Sequence, residues 1–355
     1  MMKKFKLNEQ LLYTILSIFL GFLVGAVILI IAGFNPIEAY SVMIKGIVGK
    51  PRFIAWTIVY ATPLILTGLS VAFAFRTGLF NIGAEGQYIV GSMVAVLVGY
   101  FFDGPAFIHI PLAIIAGCLA GALWAAIAGL LKAKFGINEV ISTIMLNWIA
   151  LYLSNFVTII DGFRLPNSEA SYSIKETASI GISFLKPLVG TAKVNWGIVI
   201  AIIAAILVYY IIFKTTLGYE LRAVGYNKHA AEYGGINVNR SIIVSMAIAG
   251  GLAGLAGVTQ VLGVSHKITI LAAAEGYGFD GIAISLIGAN SPFGVVMAGL
   301  LFGGLKYGGS KLQTIGAPPE VVSIVIGSII YFIAASSIVK ILINKFKVKG
   351  GRNNG

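Results

Sequence analysis

The apolar runs in this chain limit its fold more than any other feature. Ten stretches follow one another: Leu11–Phe34, Ala55–Phe75, Gln87–Phe102, Ile110–Leu131, Glu139–Ile160, Trp196–Phe213, Ile242–Leu262, Gly281–Ala289, Gly294–Leu305 and Val321–Ile343. Most approach the roughly 20 residues that cross a hydrocarbon core of about 30 Å as a helix. The eighth and ninth are shorter. They read as half-helices, or as one pair broken around Asn290-Ser291-Pro292. Only 11% of the 355 residues are charged, against about 25% in soluble domains, so a water-exposed surface could not be covered. The fold class is therefore an all-α polytopic membrane protein of about ten transmembrane helices. A cytosolic enzyme and a disordered chain are excluded. With Cys118 the only cysteine, so is a disulfide scaffold.

Charge sets the expected orientation. The net charge of +12 is scattered between apolar runs, which fits Lys and Arg retained on the cytoplasmic side better than a nucleic-acid surface. Residues 1–10 carry Lys3, Lys4 and Lys6, and the apolar run behind them exceeds the 7–15 residues typical of a cleaved signal. It reads as a retained anchor with a cytoplasmic N-terminus. Ten spans return the C-terminus to the same side, where the basic tail 344–355 follows the transmembrane domain 11–343. On that topology the inner segments hold 15 of the 25 Lys and Arg. The longest loop, 161–195, then lies outside, and the polar stretch 214–241 lies inside. Ala223, Ala230 and Ala231 give the inner stretch helix-forming content, and Gly218, Gly225, Gly234 and Gly235 are expected to break it.

Several chemistries are missing. No G-x-x-x-x-G-K-[ST] loop exists to cradle nucleotide phosphates, and no H-E-x-x-H or G-x-S-x-G occurs. His109, His229 and His266 lack metal-ligand spacing. Gly276-Tyr277-Gly278-Phe279-Asp280-Gly281 matches G-x-G-x-x-G without the strand and later acid a dinucleotide site requires, so it reads as coincidence in a chain with 44 Gly. An intramembrane enzyme would need paired carboxylates or a Ser/His pair. A self-sufficient secondary transporter or channel would place ionisable residues in mid-span. Neither pattern is present, so energy for moving a solute must come from a partner.

The most informative segment is Gly78-Leu79-Phe80-Asn81-Ile82-Gly83-Ala84-Glu85-Gly86-Gln87-Tyr88. Irregular backbone at membrane depth survives only buried in protein or facing a wet cavity. Two readings stand: Asn81, Glu85 and Gln87 line or gate a pathway, or the segment is a tight turn with Glu85 at a helix N-terminus. Asn147 and Trp148 are further candidates for that pathway, Asn147 alternatively being interhelical glue. Gly117, Gly121, Ala125 and Gly129 recur every four residues, as do Ala249, Ala253 and Gly257; both stripes suit close helix packing. Ala84-Glu85-Gly86 is echoed by Ala274-Glu275-Gly276, which would fit a five-helix unit repeated in inverted orientation.

Phe80-Asn81-Ile82-Gly83-Ala84-Glu85-Gly86-Gln87, followed by Asn138-Glu139-Val140-Ile141-Ser142-Thr143-Ile144-Met145-Leu146-Asn147, resembles the permease subunits of ABC importers for nucleosides and simple sugars, within the family that also serves ribose and branched-chain amino acids. The segment from Gly218 to Ile236 resembles that family's cytoplasmic coupling segment, with Gly218, Glu220, Arg222, Ala223, Gly225, Asn227, Ala230, Ala231, Gly235 and Ile236 as its candidate residues. Gly278-Phe279-Asp280-Gly281-Ile282-Ala283 resembles its C-terminal half, and the likeness runs from about residue 55 to 335. The resemblance implies a nonenzymatic subunit that moves a nucleoside, or a simple sugar, by alternating access. Its implied partners are two ATP-binding subunits that use ATP-Mg, a second and distinct permease, and an external solute-binding lipoprotein; no cofactor is implied on this chain. Read from residues alone, 218–236 is either a docking surface or an interfacial helix on anionic lipid.

Overall fold

The computed structural model describes residues 2–335. The end of the last expected span, to Ile343, and the tail 344–355 lie outside the described residues. Fourteen α-helices run in chain order among those residues: α1 Met2–Ile31, α2 Pro36–Val48, α3 Pro51–Arg76, α4 Ala84–Phe101, α5 Ala106–Phe135, α6 Glu139–Thr158, α7 Lys186–Val189, α8 Gly197–Lys214, α9 Thr216–Tyr226, α10 Lys228–Tyr233, α11 Val238–Gln260, α12 Tyr277–Ile287, α13 Pro292–Ser310 and α14 Pro319–Ala334. No β-strand forms among the described residues, so the all-α class holds. Each of the ten apolar runs contains a helix. Among the described residues, six helices are long and apolar enough to cross a membrane on their own: α3, α4, α5, α6, α8 and α11 with its C-terminal extension. A seventh span is reached if Leu16–Ile31 and Pro36–Val48, bent by 120°, count as one.

The expected boundaries differ from the observed ones where polar residues interrupt an apolar count. Pro36–Val48 escaped that count because Glu38 and Lys45 dilute it, yet its start is well marked. Asn35 accepts a bond from the Ile37 N–H at 3.0 Å, with Pro36 at the first helical position. Helix α13 runs five residues past Leu305, through Lys306. Between α12 and α13 the chain turns on Ala289 and Asn290, both at φ +52°.

Two compact units divide the chain: residues up to Lys50 together with those from Leu305 onward, and Pro51–Gly304. In the first, α1 packs on α14, where a Cβ at Gly21 would come within 2.8 Å of the Ile329 Cα. The bend into α2 is braced by Tyr40, whose hydroxyl donates to Phe22 O at 2.6 Å while its ring meets Phe22 edge-on.

In the second unit α3, α4 and α11 form the centre, with 83%, 72% and 67% of their spans buried against 28–33% for α5, α6 and α8. The outer helices present Leu119, Leu123, Ile203 and Leu207 outward, an apolar coat that suits lipid and would be an aggregation hazard in water. Small residues let the central backbones touch. A Cβ at Gly121 would come within 2.8 Å of the Gly254 Cα, and Gly117 and Gly129 of α5 also face α11. A second small face of α11, carrying Gly257, lies against Tyr88 and Ser92 of α4. On α3, Gly68 meets Ile284 of α12, and Ala61 meets Gly303 of α13. The packing is reciprocal: α3 holds α12 and α13, while α11 holds α4 and α5.

The stretch 161–195 is a folded cap. Antiparallel bridges join Arg164 to Ser171, Ala170 to Thr269 and Gly181 to Asn195. The Ile180 N–H donates to Leu262 O, and the Ile174 N–H to His266 O. The cap thereby pins the end of α11, where the helix widens into a π-turn over Val261–Ser265.

Candidate functional site

Two interruptions of the helices meet in the centre of this unit. The first follows α3, past whose end the chain turns at Gly78 with φ +73°, a conformation glycine adopts without the Cβ penalty of other residues. Asn81 and Gln87 then lock the turn. Their amides form a reciprocal pair, Asn81 Nδ2 donating to Gln87 Oε1 and Gln87 Nε2 to Asn81 Oδ1, each at 2.9 Å. Asn81 also receives the Gly83 N–H at 3.1 Å and donates to Ser70 Oγ at 3.2 Å. Asn147 of α6 closes the other side: its Oδ1 accepts the Gly86 N–H at 2.8 Å and its Nδ2 donates to Ile82 O at 3.1 Å. A Cβ at Gly86 would come within 2.9 Å of the Asn147 Cα, so the glycine allows that approach. Asn81, Gln87 and Asn147 are all buried, with their polar groups engaged by the turn itself.

Glu85 reaches to the second interruption, residues 266–276. It is fully buried, and its two carboxylate oxygens accept the Gly276 and Gly278 N–H groups at 2.8 and 2.6 Å. These donors stand at the N-terminus of α12, where unsatisfied N–H groups and the helix dipole favour a negative charge. Gly278 sits so close to the Glu85 backbone that any Cβ there would collide. Thr67 Oγ1 donates to Tyr277 O at 2.9 Å, and Tyr88 donates to Glu275 Oε2 at 2.9 Å with its ring 5.2 Å from that of Tyr277. Asn155 of α6 holds the Leu271 backbone from both sides, at 2.9 Å each. The two Ala-Glu-Gly echoes therefore face each other.

Tyr88, Asn155 and Glu275 are contributors the sequence reading missed as site residues. The repeat of Ala-Glu-Gly was the available signal for Glu275. Trp148 lies elsewhere, half exposed on the outer face of α6 and stacked on Tyr152. Among the described residues, no three His, Cys, Asp or Glu side chains converge as metal ligands.

The 218–236 segment is a pair of short helices, α9 and α10. Thr215 caps the first through the Gly218 N–H at 3.1 Å, and Asn227 caps the second through the His229 and Ala230 N–H groups at 3.0 and 3.1 Å. The break falls at Asn227, not at Gly218 or Gly225, which lie inside α9. Gly234 and Gly235 end α10 as expected, Gly235 at φ +84°. Gly218, Leu221, Val224 and Ala231 point inward. Gly225, Asn227, Ala230 and Gly235 are exposed, as are Tyr226 and Tyr233 at 90% and 97%. Glu220, Arg222, Ala223 and Ile236 are half-buried.

Gly225 also abuts the end of α3, where a Cβ would collide with Arg76 O and come within 3.0 Å of the Thr77 carbonyl carbon. From that point Arg76 donates to Asn290 O at 3.1 and 2.7 Å, between α12 and α13. The guanidinium groups of Arg76 and Arg222 both lie 5.5 Å from the Phe213 ring centre. A displacement of α9 is thus in direct contact with the residues that open the first interruption.

Known proteins are similar in sequence over nearly the whole chain. The chain is 46% identical to the guanosine ABC transporter permease protein NupP of Bacillus subtilis, over 96% of its own length and 98% of that protein. It is 39% identical to the nucleoside ABC transporter permease protein NupB of Lactococcus lactis, over 96% and 95%. Identity to the glucose ABC transporter permease protein TsgB13 of Haloferax volcanii is 32%, over 92% and 87%. Residues 53–334 match the family described as the permease component of branched-chain amino acid transport systems, and on that match and these identities the chain belongs to this family of multi-pass transporter permeases.

Proposed function

We propose that this chain is the membrane-spanning subunit of an ATP-driven importer, that it forms the pathway for a nucleoside by alternating access, and that separate ATP-binding subunits supply the energy. The observation that carries this reading is the seating of α9 and α10. The exposed face of this pair, with Tyr226, Ala230 and Tyr233, is suited to a soluble partner. Gly225 of the same pair abuts Arg76–Gly78, the start of the first interruption. A push on the exposed face has a short mechanical route to the centre of the unit. ATP-Mg belongs to the partner subunits on this account.

The nucleoside assignment draws on NupP and NupB, and the lower identity to TsgB13 makes a simple sugar the second reading. The family likeness also supports a second permease and an external solute-binding lipoprotein as partners. We read both termini and α9–α10 as cytoplasmic from the Lys and Arg bias. The reciprocal packing of α3–α5 against α11–α13 supports an inverted repeat.

Reconstitution of the complete importer in proteoliposomes tests the proposal. ATP-dependent uptake of guanosine, with little uptake of free ribose or galactose, is expected; ATP-independent uptake, or uptake of sugars alone, would reject it. Ala230→Glu and Tyr233→Asp should each lower uptake at least about tenfold with membrane insertion intact, by placing a charge where an interface must desolvate it. Gly225 is a poorer probe of docking, because a side chain there would strike the chain's own α3 before any partner.

A further inference from the structure

Helix α12 is held near both ends by ionisable side chains from opposite flanks of the first interruption. At its N-terminus Glu85 takes the Gly276 and Gly278 N–H groups. Just past its C-terminus, Arg76, the last residue of α3, donates through Nε and Nη2 to Asn290 O at 3.1 and 2.7 Å, filling both lone pairs of that carbonyl. An acid at the start and a base at the end suit the helix dipole. The eleven residues of α12 therefore form a strut of about 16 Å, tied at each end to the same interruption. Among the described residues no carboxylate pairs with Arg76. Its guanidinium is committed to the α12–α13 turn and to the Phe213 ring.

The turn that Arg76 grips is not a relaxed one. Ala289 and Asn290 both sit at φ +52°, a region that L-residues avoid. Asn290 is supported there by Ser285 Oγ, which donates to its Oδ1 at 2.7 Å. Ala289 has no polar side chain to use in this way. Gly288 and Gly294 close the turn backbone to backbone, so a displacement of the turn carries the end of α12 with it. On the other side of Arg76, Gly225 of α9 rests against its carbonyl, and Gly78 faces the Gly225 backbone. We propose that Arg76 is a positioning residue that couples the ATP-binding subunits to the pathway. A push on α9 moves the end of α3, and the guanidinium draws the α12–α13 turn with it while α12 pivots on Glu85. The inference rests on the ATP-driven importer reading, and it names the link between the docking face and the 266–276 stretch at the N-terminal end of α12.

The test uses the complete importer in proteoliposomes, with guanosine uptake and ATP hydrolysis measured in the same vesicles. Arg76→Ala should raise the ATP hydrolysed per guanosine imported at least about tenfold, as loss of a charge-assisted hydrogen bond would give. Hydrolysis and co-purification of the ATP-binding subunit should persist. Arg76→Lys, a point charge in place of a planar fork, should give an intermediate ratio. Uptake and hydrolysis falling in proportion in Arg76→Ala would make Arg76 a structural clamp only, and a native ratio would remove it from coupling; either result overturns the proposal. If Arg76→Ala does not assemble, a native ratio in Arg76→Lys overturns it instead. A nitroxide at Leu286→Cys, exposed on α12, in a Cys118→Ser background reports the motion without reference to the solute. ATP should change its spectrum when Arg76 is present and change it less in either Arg76 variant. An equal change, or none with Arg76 in place, would also overturn the inference. ATP hydrolysis without guanosine uptake by the native chain would reject the nucleoside reading, while the nitroxide still decides the role of Arg76.

Discussion

The turn at 79–83 and the stretch 266–276 both interrupt helices at the centre of one unit, but they satisfy their backbones differently. The first is closed by buried amides: Asn81 and Gln87 pair with each other, and Asn147 of α6 holds the Ile82 and Gly86 backbone. The second runs through exposed residues at 272–275 and depends on side chains sent from elsewhere, Glu85, Asn155 and Tyr88. A break locked by buried, fully bonded amides is rigid and serves as a fixed post. One held by distant side chains can change partners when those helices move. On this comparison we propose that the 79–83 turn is scaffold and the 266–276 stretch is the working surface.

Substitutions can break or sharpen the contrast. Gly278→Val should have the largest effect, forcing a side chain into the Glu85 backbone where the two interruptions join; overpacking costs about 1–3 kcal/mol or more. Size-exclusion chromatography in mild detergent should show no monodisperse protein. Asn81→Leu and Gln87→Leu each strand a buried amide, at about 1–3 kcal/mol, and assembly and uptake should fall together. The double variant should cost less than the sum of the two. If uptake fell in either single variant while thermal stability stayed native, the scaffold assignment would be wrong and a pathway role for these amides would stand. Glu275→Gln should leave stability within about 0.5 kcal/mol, since Tyr88 retains an acceptor, yet lower uptake several-fold; native uptake would remove the working-surface role. Trp148→Ala should be smallest, with at most about 1 kcal/mol lost from an exposed stacking pair, read as a minor shift in Tm.

The fold class was legible because apolar runs near 20 residues have few solutions, and the small stripes lie at close helix contacts, that of α5 against α11 and Gly257 of α11 against α4. Polar residues inside helices hid the rest. Glu38 and Lys45 concealed α2, and Lys306 cut α13 short in the reading. Of the site, Asn81, Glu85, Gln87 and Asn147 stood out because amides and acids are costly in apolar surroundings. Their bonding was not visible, however, since the partners of Glu85 lie about 190 residues away, a separation no local pattern encodes. Tyr88 and Asn155 escaped notice for a related reason: each looks ordinary on its own helix and gains meaning only from the loop packed against it. Trp148 shows the reverse, a conspicuous residue that faces outward.

The central claim is that this permease draws its energy from ATP-binding subunits seated on α9 and α10. Purification of the native complex in mild detergent, with identification of every co-purifying chain, tests it most directly. The account predicts an ATP-binding subunit, together with a second permease, and loss of the ATP-binding subunit from Ala230→Glu complexes. Recovery of this chain alone from an intact complex that still transports after reconstitution would contradict it.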